Sequence, residues 1–181
     1  MKFNQFSLLA TGVLGTLAVI SLSNLPIKQA QANGETQFIC AESFDNESGK
    51  SLPTTFAWTS RGKIAIVRWE TEDFLSAGFS PQKRCESVSP RFQEAYDNNT
   101  LGLITNGQMD NQSVICTSDR PQGDCNTLLM TLRPEDDSLT VLGSLRDIFN
   151  GQQVGPVKHN KQAYYQVDIE NFLETAPVEG S

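Results

Sequence analysis

Four cysteines, one histidine, two knots of carboxylates and a concentration of basic residues are what this chain offers for chemistry. The cysteines are Cys40, Cys85, Cys116 and Cys125. No C-x-x-C occurs, and the one histidine, His159, falls in a Lys-rich polar loop, so a zinc site is disfavoured. An even number of thiols behind an export signal reads as two disulfides, which can be connected in three ways. Cys116 and Cys125 flank TSDRPQGD, where Pro and Gly favour local closure, and pairing them leaves Cys40 with Cys85. In the chain-entropy account the long loop contributes about 4 kcal/mol and the short one about 3 kcal/mol.

The absences narrow the rest. A His-based triad would have to use His159, for which a solvated side chain is the plainer reading. G-x-S-x-G is absent, and GKS at 49–51 lacks the upstream glycine of a phosphate loop because Phe44 stands there. DNESGK begins like a calcium loop, yet Phe56 occupies the position of the bidentate acid. The carboxylates Glu70, Glu72 and Asp73, and Glu135, Asp136 and Asp137, could serve a hydrolase if two faced each other across a cleft about 5 to 10 Å wide. The plainer reading makes them solubilising ends of elements. No catalytic residue, metal site or cofactor is expected. Arg61, Lys63, Arg68, Lys83, Arg84 and Arg91 gather in a chain with 14 basic and 21 acidic residues. If hairpin and helix pack together, some of them could meet to hold an anion or a headgroup. Arg84, Arg91 and Arg68 are the binding candidates, and ion pairing with Glu70, Glu86 and Glu94 competes with that role.

The elements that must position these residues are legible in outline. TQFICAE (36–42) reads as a strand and NESGKSLP as a polar loop. TTFAWTS and KIAIVRWE form a hairpin about Arg61-Gly62, placing Phe56 opposite Val67 and putting Phe56, Trp58, Ala65, Val67 and Trp69 on one face. Ala57, Ile64 and Ile66 take the other face. Apolar residues on both faces suggest a central hairpin covered by helix on at least one side. EDFLSAGFS reads as a connecting turn or short helix. Ser80-Pro81 then opens a helix ended by DNNT, with Cys85, Val88, Phe92 and Tyr96 on one stripe. Pro90 implies a kink, or two short helices with Ser89 capping the second. In LGLITNGQMDNQSVIC the turn is Asp110-Asn111 rather than Asn106-Gly107, and NTLLMTL is a neighbouring strand. SLTVLGSLRDIF is a helix capped by Asn150-Gly151. AYYQVDIENFLE supplies a last strand and a helical turn from Asp168; Tyr164 and Tyr165 pack in the core or at its rim, or else form a patch.

Residues 1–32 read as a signal peptide: Lys2, the apolar run FSLLATGVLGTLAVISLSNL, and a cleavage site at Ala30-Gln31-Ala32. Its removal takes Lys2 and Lys28 and moves the formal net charge from −7 to about −9. The remaining 149 residues suit one domain over 33–181, with a loose tail from about 176. The fold class is α+β: an antiparallel sheet of β-hairpins with two main helices packed on it and two disulfides. So acidic a surface argues against nucleic acid.

PTT, TSRGKIAIVRW, GFSPQKRCESVSPRFQ, GQMDNQSVIC, a further Cys and LLMTL, in that order, resemble the circadian oscillating protein domain family of cyanobacteria. The resemblance covers roughly Phe38 to Leu173. Its most specific blocks are Arg84, Cys85, Val88, Ser89, Arg91, Phe92 and Gln93, and Val114, Ile115, Cys116 and Cys125. Pro90 departs from the small, helix-compatible residue the family leads one to expect. The resemblance implies a disulfide-bonded protein of the cell membrane or periplasm with rhythmic expression, and it carries over no catalytic residue. The expectation is a non-enzymatic, exported module of the periplasm, thylakoid lumen or membrane-associated envelope. It would bind an unidentified protein or small ligand, and be soluble or peripherally attached to a membrane through protein or headgroup contacts. A hydrolase using the acidic clusters and a purely structural envelope protein are the alternatives.

Overall fold

Strands β1 (Gln37–Asp45), β2 (Lys50–Thr59) and β3 (Gly62–Arg68) form an antiparallel sheet with β2 in the centre. The computed structural model describes residues 35–72, 78–150, 152–153 and 162–180. The leader with its cleavage site, residues 73–77 of the connection after β3, and His159 with most of its loop lie outside the described residues. The polar loop expected at 46–53 shrinks to 46–49, because β1 and β2 extend to pair Asp45 with Lys50. Asp45 serves this turn by accepting the Ser48 N–H at 2.8 Å, and Gly49 takes φ +68°.

The β2–β3 turn is Ser60-Arg61, one residue earlier than expected. Thr59 therefore pairs with Gly62, and Phe56 with Ala65 rather than Val67. The register then shifts between Thr55 and Phe56; this bulge leaves Ile66 without a Cα partner and sets Val67 against Thr55. Strict alternation places Trp69 with Phe56 and Trp58. The bulge turns it to the face of Ala57, Ile64 and Ile66 instead, where it is buried in the core.

That face is covered by α1 (Pro81–Asp97). Ser80 caps it by accepting the Lys83 N–H at 3.2 Å, Pro81 opens its first turn, and Asn99 at φ +55° follows its end. Pro90 does not divide it: one helix runs through all 17 residues. Ser89, the expected second cap, is buried with its hydroxyl within hydrogen-bond distance of Cys85 O (2.9 Å) and Thr55 Oγ1 (3.1 Å). The Cys40–Cys85 disulfide ties α1 to β1 on the stripe that also buries Val88, Phe92 and Ala95.

A second antiparallel sheet, where one continuous sheet was expected, has the order β6-β5-β4-β8-β7. Its strands are β4 (Leu103–Met109), β5 (Gln112–Thr117), β6 (Leu128–Thr131), β7 (Gln152–Gln153) and β8 (Tyr164–Gln166). Asp110 and Asn111 make the β4–β5 turn with φ +48° and +62°, a conformation these two residue types tolerate well. Asn106-Gly107 lies within β4. Helices α2 (Ser138–Ile148) and α3 (Ile169–Thr175) are capped by Asp137 and Asp168. Phe149, just after α2, packs edge-on against Phe172 of α3, with centroids 4.8 Å apart. On the far face of this sheet the Cys116–Cys125 disulfide folds a loop back over Tyr164, whose hydroxyl donates to Gly123 O at 3.0 Å.

The segment from about 176, expected to be loose, makes defined contacts with the first hairpin. Arg61 donates to the carbonyls of Leu173 (2.9 Å) and Ala176 (3.1 Å), and the Glu179 N–H donates to Lys63 O (2.8 Å). This segment is thus held by the Arg61 side chain and the Lys63 carbonyl, partners that its composition does not reveal.

Gly107 tests the second disulfide. A Cβ there would stand 2.6 Å from Cys125 Sγ. Gly107→Ala should lower stability by about 1–3 kcal/mol in urea titrations. Most of that loss should vanish in a Cys116→Ser/Cys125→Ser background, where position 125 can move aside.

Candidate functional site

Arg84 and Arg91 are seven residues apart on α1, two turns or about 10 Å along its axis, with Val88 between them. They line one side of a cavity of about 200 Å³. Trp69, and Met130 of β6, supply its other apolar walls, and Phe79, 51% exposed, stands at its mouth. Gln112 and Thr131 add polar groups from β5 and β6.

Each wall is positioned by the fold just described. The Trp69 indole N–H donates to Thr55 Oγ1 at 3.1 Å, and Thr55 in turn meets Ser89, so the ring is fixed against β2 and α1 together. The Arg84 guanidinium lies over that ring, 4.6 Å from its centroid, and donates to Thr71 Oγ1 at 3.3 Å. Its charge also reaches Asp136. That carboxyl is held below the ordinary range first by the Arg133 side chain, which donates from Nε at 2.9 Å. Partial burial opposes this; the Arg133 N–H and the charges of Arg133 and Arg84 reinforce it. Arg91 makes no hydrogen bond or ion pair among the described residues.

Arg68, the third candidate, is elsewhere. It forms ion pairs with Glu179 and with Asp45 (3.5 Å). The six basic residues thus do not make one patch: Arg61 holds the C-terminal carbonyls, Lys63 sits 5.4 Å from the Trp58 ring centroid, and Lys83 donates to Gly78 O at 3.1 Å. The expected partners are also redistributed, with Glu70 paired to Lys50 (3.5 Å) and Glu86 accepting from Gln82 (2.8 Å).

The second acidic cluster has structural duties. Asp137 caps α2 through the Thr140 N–H (3.2 Å), while Asp136 and Glu135 hold Arg133. Asp73 lies outside the described residues. No group of three or more His, Cys, Asp or Glu converges to hold a metal among the described residues. Tyr164 and Tyr165 are both buried.

Sequence reasoning singled out the two arginines and overlooked Trp69, Met130 and Phe79 as their companions. The bulge hid Trp69, and no local signal apposes β6 to α1.

A family model described as Circadian oscillating protein COP23 matches residues 37–174. No curated protein and no solved structure matches the chain.

The Asp136–Arg133 pair beside the cavity sets a pH dependence. Its folded pKa is lowered, so its contribution is complete above the unfolded value of about 3.9 and is lost as pH falls through the folded value. Urea midpoints of the wild type and Asp136→Asn should stay a constant distance apart from pH 5 to 8 and converge below about pH 4.

Proposed function

We propose that this chain, which belongs to the circadian oscillating protein COP23 family, is an exported, non-enzymatic binding module that takes a ligand or partner at the groove between α1 and β6. The observation that carries this reading is the meeting of Arg84 and Arg91 with an apolar cavity. In a chain of net charge −7, two cations retained beside an exposed Phe79 and the apolar walls of the cavity favour an anionic occupant.

Two disulfides suit an oxidising compartment, and the N-terminal 32 residues have the pattern of a cleaved leader. No helix among the described residues is long and apolar enough to cross a membrane. Attachment to an envelope, in the periplasm or thylakoid lumen, would run through protein or headgroup contacts. A non-enzymatic role is favoured because Asp136 and Asp137, carboxylates of one of the two acidic clusters, are engaged in an ion pair and a helix cap.

Affinity capture from envelope and periplasmic extracts with the oxidised 33–181 chain tests the surface. Capture should fall at least about fivefold with Arg84→Ala/Arg91→Ala, while the thermal midpoint changes little. Equal capture by both proteins would place the binding surface elsewhere.

A further inference from the structure

We infer that the groove receives a small monoanion with an apolar body, an aromatic or branched aliphatic carboxylate, whose charged end meets Arg91 while its body lies against Trp69, Val88 and Met130. The inference rests on reading the groove as the binding site and adds the chemistry of its occupant.

Size sets the first limit. A cavity of about 200 Å³ is smaller than drug-sized pockets. At roughly 30 Å³ per water in the liquid, it holds about seven water-sized groups, enough for the apolar body of a small acid with its charged end at the mouth. Charge sets the second. Arg84 is stacked on Trp69, bonded to Thr71 and within the field of Asp136. Arg91 makes no hydrogen bond or ion pair among the described residues and so presents the cavity's uncommitted guanidinium. One such group suits a carboxylate, which a guanidinium can grip through two parallel hydrogen bonds. It is poorly matched to a phosphate dianion or a polyanionic surface, which would call for several converging cations.

The walls set the third limit. Trp69, Val88 and Met130 are buried elsewhere along their surfaces and held by the core, so the apolar face they leave in the cavity is preformed. Trp69 cannot swing away without releasing Thr55. Gln112 and Thr131 stand at the cavity with hydrogen-bonding groups that can orient the second carboxylate oxygen.

Phenylacetate is the probe, with neutral phenylacetamide, phenethylammonium and inorganic phosphate as comparisons. Titration of the isotope-labelled, oxidised 33–181 chain is followed by the NMR signals of the Trp69 indole N–H and the Arg91 side chain. Phenylacetate should give saturable shifts at both groups and bind at least about tenfold more tightly than phenylacetamide. Arg91→Gln should remove that preference with an unchanged thermal midpoint, and Arg68→Gln should leave binding as it was. The inference is overturned if the acid and the amide bind alike, if phosphate binds more tightly than phenylacetate, or if nothing saturates by about 10 mM. Should the carboxylate fail while Arg91→Gln still abolishes capture from extracts, the ligand class is wrong and the binding role stands. Indifference of both assays to Arg91→Gln would remove both readings.

Discussion

The Phe92 ring lies between Phe38 of β1 and Phe149 at the end of α2, with centroids 5.9 and 6.5 Å away. Phe149 then meets Phe172 of α3. This run of rings joins the first sheet and α1 to the helices of the second sheet. A two-stranded hairpin is marginal in water; the third strand and burial of the apolar face against a helix are what stabilise this sheet. Helix α1 has only a narrow stripe for that purpose, centred on a fully buried Phe92. The Cys40–Cys85 disulfide lies two turns earlier on the same stripe and pins the helix to β1. Cross-link and ring act together: one limits where the helix can sit, and the other joins both halves of the core.

A buried polar chain reinforces the same contact. The Trp69 indole, the Thr55 hydroxyl, the Ser89 hydroxyl and the Cys85 carbonyl follow one another at 3.1, 3.1 and 2.9 Å. Such groups are expensive to bury alone and favourable when joined, so they favour one placement of α1 on β2. They also account for the comfort of Pro90. Ser89 is committed inward, away from a capping role, while Pro90 and Glu86 stand on the exposed side, where the carbonyl deprived of its donor can be hydrated. The same chain holds Trp69 in the wall of the groove, so core and candidate site share one fixed point.

Local chemistry was legible. Ser80-Pro81 marked the start of α1, Asp110-Asn111 the β4–β5 turn, and Asp168 the start of α3, because caps and turns are settled within a few residues. The pairing of four cysteines followed from one Pro/Gly loop. Arg84 and Arg91 stood out as cations in an acidic chain. Arg68 stood out equally and went elsewhere, since its partner Glu179 is 111 residues away and nothing near Arg68 announces it.

By itself, then, the sequence determined the α+β class, the starts of α1 and α3, the β4–β5 turn, the disulfides and the family. These depend on residue type and short spacing. Only the tertiary structure decided that the strands divide into two sheets, that the end of the chain docks on β3, and that a bulge at Thr55/Phe56 turns Trp69 toward α1. A one-residue irregularity reverses every side chain beyond it, and its position is set by what packs across the sheet rather than by the strand's own residues. The groove exists because that reversal brings Trp69 beside Arg84 and Met130, residues that no local rule connects.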